Sequence, residues 1–238
     1  QMISNNLGFC LIRKDLFSTS DLVFIDQKFD LKDISISQIN DYLPEKVLSV
    51  QSIFYGTDVT GSSLVKSQNE FITLCDLFQN ICIKIQLKGM KSIIFGSPNL
   101  RQDKIISDSV LNERLNILYR ISLENNLKLY FEALPSHMSD ILNSHEELIK
   151  LNKGKIHFDL ATWIDNKRDM NEFKLLLPHI DRFHLSIPGY GPDFSNYKES
   201  KIILKLLLNR NIKGTIEIQS LNKKENAIKD IYSFFAKE

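Results

Sequence analysis

The chain of 238 residues has 43% hydrophobic and 25% charged residues, the balance of an ordinary globular protein and enough length for one large core. With 30 basic and 29 acidic residues the net charge is +1, which removes any global electrostatic argument for nucleic acid or an anionic membrane. No apolar run approaches a membrane span, and no basic segment leads into an apolar core at the N-terminus, so no secretory leader is expected. Cys10, Cys75 and Cys82 lack CxxC spacing, which argues against a disulfide framework or a zinc ribbon and for free thiols in the cytoplasm.

In chain order, Leu7 to Ile12 reads as a buried strand and Leu22 to Asp26 as a second, with too little between them for a normal crossover helix. Ile34 to Leu43 reads as a short amphipathic helix, and Val47 to Tyr55 as a strand stopped by Gly56. Glu70 to Lys88 carries Phe71, Leu74, Leu77, Phe78, Ile81 and Ile85 at helical spacing, and Gly89 closes it. The alternation then continues: strands at Ser92 to Gly96, Leu129 to Ala133, Ile156 to Leu160, Ile180 to Ile187 and Thr215 to Ile218. The helices between them begin near Asp108, Ser144, Met170 and Lys198, and a last one runs from Asn226 to Ala236. Strands alternating with helices pair in parallel through right-handed crossovers, and eight such units close into a (β/α)₈ barrel. The expectation is one TIM-barrel domain over residues 1–238 whose first crossover helix is short or missing. A doubly wound open sheet is the alternative, but no GxGxxG or Walker loop marks its nucleotide site.

Active-site groups of such barrels stand at the C-terminal ends of the strands. Four consecutive strands end in polar residues about one βα unit apart: Glu132, Asp159, His184 and Glu217. Singly, each carboxylate is read more readily as a helix cap or ion-pair partner, and His184, between Phe183 and Leu185, as a core histidine. Together in register they are three carboxylates and an imidazole at one barrel mouth, which repel one another without a cation. That donor set suits one divalent metal ion, Mn or Mg foremost, with Co or Zn as alternatives.

The segments Phe131-Glu132-Ala133-Leu134-Pro135, Phe158-Asp159-Leu160, Arg182-Phe183-His184-Leu185-Ser186 and Ile216-Glu217-Ile218 resemble the strand-end motifs of the xylose-isomerase-like TIM-barrel superfamily, the sugar phosphate isomerases and epimerases. Gly96 to Arg101 resembles that superfamily's turn after the fourth strand. The resemblance implies that Glu132, Asp159, His184 and Glu217 bind the metal and that Glu132 and Glu217 also act as acid and base. It implies a sugar or sugar phosphate isomerase/epimerase working by proton transfer next to a carbonyl through an enediolate. Two positions depart from the epimerase pattern: Thr162 stands where a histidine is common, and no arginine closely follows His184.

Arg101, Trp163, Tyr190 and His137 are the candidate substrate-binding residues, each with a plainer reading: a salt bridge for Arg101, rim packing for the aromatics, a solvated loop for His137. His157 shares strand parity with Asp159 and is read as a core histidine. Two other functions compete. A non-catalytic sugar- or metal-binding barrel fits the departures. An endonuclease IV-like phosphodiesterase needs further His and Asp ligands and a basic face, and the third strand ends in Phe54-Tyr55 instead. A small-molecule sugar is the expected partner, without nucleic acid or membrane, in a homo-oligomer that covers the thin flank of the first unit.

Overall fold

The computed structural model describes residues 5–151, 155–186, 197–218, 220 and 227–236. Strand β1 (Leu7–Cys10), buried throughout, is followed by helix α1 (Thr19–Lys28) and strand β2 (Lys32–Ser35). This corrects two expectations. Leu22 to Asp26 belongs to a helix, because Ser18 accepts the Asp21 N–H (3.1 Å) while the Asp21 carboxylate accepts the Ser18 N–H (3.0 Å). That capping box starts a helix in a run whose composition reads as strand. The segment from Ile34 is the end of β2 and a single 3₁₀ turn at Ile36–Gln38, not an amphipathic helix. The first crossover therefore has a helix of 10 residues, and the reduced crossover is the one between β2 and β3. With this helix in place, the first βα repeat lacks the expected thin flank for a partner subunit to cover.

From β3 (Val47–Gln51) the expected alternation is found: α2 (Gln68–Leu87), β4 (Ser92–Phe95), α3 (Asp108–Glu124), β5 (Lys128–Phe131), α4 (His145–Lys150) and β6 (Ile156–Asp159). Then come α5 (Leu160–Asp165), α6 (Met170–Leu176), β7 (Ile180–Leu185), α7 (Ser200–Leu208), β8 (Lys213–Ile216) and α8 (Ala227–Ala236). Helix α2 opens on a Ser67/Glu70 capping box, and Gly89 beyond its end takes φ +77°, the left-handed conformation that suits glycine. The strands form one parallel sheet in the order β5-β4-β3-β2-β1-β8-β7-β6, the strand arrangement of a (β/α)₈ barrel.

By its contacts the chain divides into two compact units, Gln1–Asp33 with Gly154–Glu238, and Ile34–Lys153. The core of the first includes Phe9, Ile25, Phe29, Phe158, Phe173, Phe183, Leu207 and Ile216, with Phe9 and Phe29 edge-on at 5.5 Å and Phe158 and Phe173 at 5.2 Å. The core of the second includes Phe71, Leu74, Phe78, Phe95, Leu115, Leu118 and Phe131. In the first unit the ladders set the site directly: Asp159 lies opposite His184, and His184 opposite Thr215. β7 and β8 approach closely at Gly214, where a Cβ would stand 2.3 Å from the Phe183 carbonyl oxygen, so only glycine fits this register. Among the described residues, no helix is long and apolar enough to cross a membrane.

Candidate metal centre

Side chains two apart on a strand share a face. In the first unit three neighbouring strands use that rule to turn paired polar residues the same way: His157 and Asp159 on β6, Arg182 and His184 on β7, Thr215 and Glu217 at the end of β8. All are buried. The donor atoms of Asp159, His184 and Glu217 lie within 4.8 Å of one another. The His184 Nδ1 stands 3.5 Å from the Glu217 carboxylate. Asp159 also caps α5, its Oδ1 accepting the Thr162 N–H at 2.7 Å, so the cap and ligand readings coexist on one side chain. His157 packs its ring edge-on against His184 at 4.3 Å.

A residue that sequence reasoning missed sits beside this cluster. Asp33, in β2 and fully buried, accepts from Arg182 Nη2 at 2.9 Å on both oxygens, from Thr215 Oγ1 at 2.7 Å, and lies 2.7 Å from His184 Nε2. The Ser18/Asp21 capping box was the available signal: a helix beginning at Thr19 moves the strand downstream to Asp33.

The electrostatics follow from burial and proximity. Burial alone raises the Asp33 carboxyl, but the Arg182 guanidinium and the His184 hydrogen bond outweigh it and hold the group down at about 2. For His184, burial opposes the charged ring, while the carboxylates of Asp33 and Glu217 on its two nitrogens raise it to about 10. Asp159 rises to about 6, through burial first and then repulsion from Glu217. A buried carboxylate pushed up by a second carboxylate is a place that gains from a cation. Two of the cysteines offer no ready nucleophile: burial raises Cys75 to about 11 and Cys82 to about 12, so neither forms appreciable thiolate near neutrality.

In the second unit Glu132 follows β5 directly, half-buried, its N–H donating to the Phe95 carbonyl at 3.1 Å. Its side chain extends over Gly96, where a Cβ would come 2.5 Å from Oε2. Arg101, expected at the substrate, is instead fully buried, with Nη1 donating to the Glu132 carbonyl at 2.7 Å and Nη2 to the Phe95 carbonyl. Its guanidinium lies 5.6 and 5.8 Å from the Phe95 and Phe131 ring centres. Arg101 braces the ends of β4 and β5 and so fixes where Glu132 begins. Trp163, expected at the rim, is 2% exposed and packs in the core of the first unit against Phe158 and Phe173. His137 lies exposed in the turn after β5. Tyr190 lies outside the described residues.

No protein-family model and no curated protein matches the sequence. Solved structures do. The apo form of 3-keto-D-glucoside 4-epimerase from E. coli matches at TM-score 0.74 and 12% identity, covering 98% of this chain and 99% of that one. The chain shares the barrel fold of these solved structures. D-psicose 3-epimerase from Clostridium cellulolyticum H10 matches at 0.71 and 9% identity with 98% of each chain covered. L-ribulose 3-epimerase matches at 0.69 and 11%, over 95% of this chain and 86% of that one. At these identities the likeness is one of backbone.

Proposed function

We propose that this barrel, as one domain, is a divalent-metal-dependent sugar or sugar phosphate isomerase/epimerase. The observation that carries the reading is the buried set of Asp159, His184 and Glu217, whose donor atoms gather within 4.8 Å at the ends of three neighbouring strands. The group fits the donors: two carboxylates and an imidazole suit Mn²⁺ or Mg²⁺ foremost, with Co²⁺ or Zn²⁺ as alternatives, and the raised Asp159 marks a deficit of positive charge. Glu132, at the mouth of its own strand, is proposed as the fourth ligand. The sugar-epimerase backbone of the solved relatives supports a small polyhydroxy carbonyl substrate.

When bound, a divalent ion supplies Lewis acidity to a carbonyl oxygen and the hydroxyl beside it. Asp159 and His184 hold position and charge. Glu132 and Glu217 come from different strands; one accepts the proton from the carbon next to the carbonyl and the other returns one. Return to the same carbon inverts it, and return to its neighbour interconverts aldose and ketose. Burial of Asp159, His184 and Glu217 limits the access of water to their side of the site. Proton transfer by positioned carboxylates contributes about 10²–10⁴-fold in rate.

Two measurements test the reading. Purified protein should carry or take up close to one divalent ion per chain; failure to bind any would end the proposal. Glu132→Gln and Glu217→Gln should then each lower turnover on a panel of free and phosphorylated ketoses by about 10²–10⁴-fold. Variants that keep the metal and full turnover would remove the acid/base roles. Metal binding without turnover on the panel in the unaltered protein would favour the non-catalytic barrel, and cleavage of abasic DNA the phosphodiesterase.

A further inference from the structure

Asp33 has no part in the proposed proton transfer, yet the side chains of three buried residues converge on its carboxylate. Arg182 meets both oxygens at 2.9 Å, and Thr215 Oγ1 and His184 Nε2 both meet Oδ2 at 2.7 Å. Arg182 and Thr215 come from β7 and β8, and Asp33 itself from β2, so three strands fix the orientation of one carboxylate. The partners are themselves 3% exposed or less. An ionised carboxylate held this way accepts and does not donate, so the nitrogen facing it must carry the proton. The other ring nitrogen, Nδ1, points toward Glu217.

We infer that Asp33 is the positioning residue of the metal centre: it holds the proton of His184 on Nε2 and presents Nδ1 as the ligand atom. The inference rests on the metal-binding reading above. A carboxylate behind a metal-binding imidazole fixes the ring's tautomer and orientation and raises its basicity, and loss of such a partner typically weakens metal affinity about 10–100-fold. Arg182 and Thr215 act one step further out by holding the carboxylate in the plane His184 needs. A merely structural Asp33 would stabilise the fold and leave the ring's proton and the metal affinity unaffected.

The test is Asp33→Asn, which keeps the shape but offers an amide in place of the carboxylate, read in two ways. In metal-free protein, nitrogen NMR of the imidazoles, with His184 assigned by its loss in His184→Gln, should show Nε2 protonated and its proton slow to exchange. Asp33→Asn should abolish that slow exchange. Titration calorimetry with Mn²⁺ should then show Asp33→Asn weakened about 10–100-fold. Thr215→Val, which removes one hydrogen bond to the same carboxylate, should show a smaller loss and carries the test if Asp33→Asn does not fold. An Nε2 without a proton in the unaltered protein overturns the inference, as does unchanged Mn²⁺ affinity in the folded variants. Unaltered protein that binds no Mn²⁺ but shows the protected Nε2 proton overturns the metal reading and, with it, the ligand half of this inference, while leaving the Asp33–His184 pairing in place.

Discussion

Gly96 shows how one residue's size can govern a distant-looking carboxylate. A Cβ there would meet the Glu132 Oε2 at 2.5 Å, and the obstacle is the far end of a flexible side chain, not backbone. Gly96→Ala should therefore cost little stability, within the range of about 0.5 kcal/mol typical of tolerated substitutions, while displacing the Glu132 carboxylate. Weaker Mn²⁺ binding with a nearly unchanged melting temperature is the expected pair of results. A large drop in melting temperature with intact metal binding would show that Gly96 serves the backbone instead. Asp33 is the opposite case. Its carboxylate is desolvated completely, and the ionised state survives because Arg182, Thr215 and His184 surround it. Nothing in the local sequence Leu31-Lys32-Asp33-Ile34-Ser35 distinguishes that aspartate from a solvated one.

At the scale of elements, caps settled what composition left ambiguous. Leu22-Val23-Phe24-Ile25 has the β-branched and aromatic content of a strand, and only Ile25 is fully buried in the helix it forms. The Ser18/Asp21 box satisfies backbone donors at the first turn, and the strand that follows can then begin at Lys32. Ser18→Ala should destabilise the protein by about 1 kcal/mol, seen as a lower urea midpoint with an unchanged slope. An unmoved midpoint would mean that packing of Ile25 and Phe29, not the cap, anchors α1. Where periodicity and caps agreed, as in Gln68–Leu87 with Ser67 before it and Gly89 after it, the sequence reading and the structure coincide within two residues.

For the whole molecule, the first unit joins the two ends of the chain: Leu7 in β1 lies opposite Gly214 in β8. Such contacts close only after most of the chain is made, which favours slow folding. The same unit carries Asp159, His184 and Glu217, so metal binding and stability of this unit should be linked. At a Mn²⁺ concentration 100 times the dissociation constant, binding to the folded state alone adds about 2.7 kcal/mol. For a chain of this size that raises the melting temperature by about 5–11 °C. Thermal melts with Mn²⁺ and with EDTA measure the shift, and His184→Gln should remove it. Equal melting temperatures in Mn²⁺ and EDTA would contradict a site that forms on folding.

The sequence by itself determined the barrel class, most of its strands and the four strand-end candidates Glu132, Asp159, His184 and Glu217. Those features are periodic or terminal, and the spacing of chain-local units records them. The tertiary structure alone decided what faces what. It put Asp33 behind His184 and made Asp159 both a helix cap and a member of the cluster. It also buried Arg101 against the carbonyls of Phe95 and Glu132, and Trp163 among Phe158 and Phe173. Each of these depends on lateral register between strands or on the burial of a charged group by residues far away in sequence. Hydrogen bonding and desolvation act through space, and a one-dimensional pattern does not record those distances.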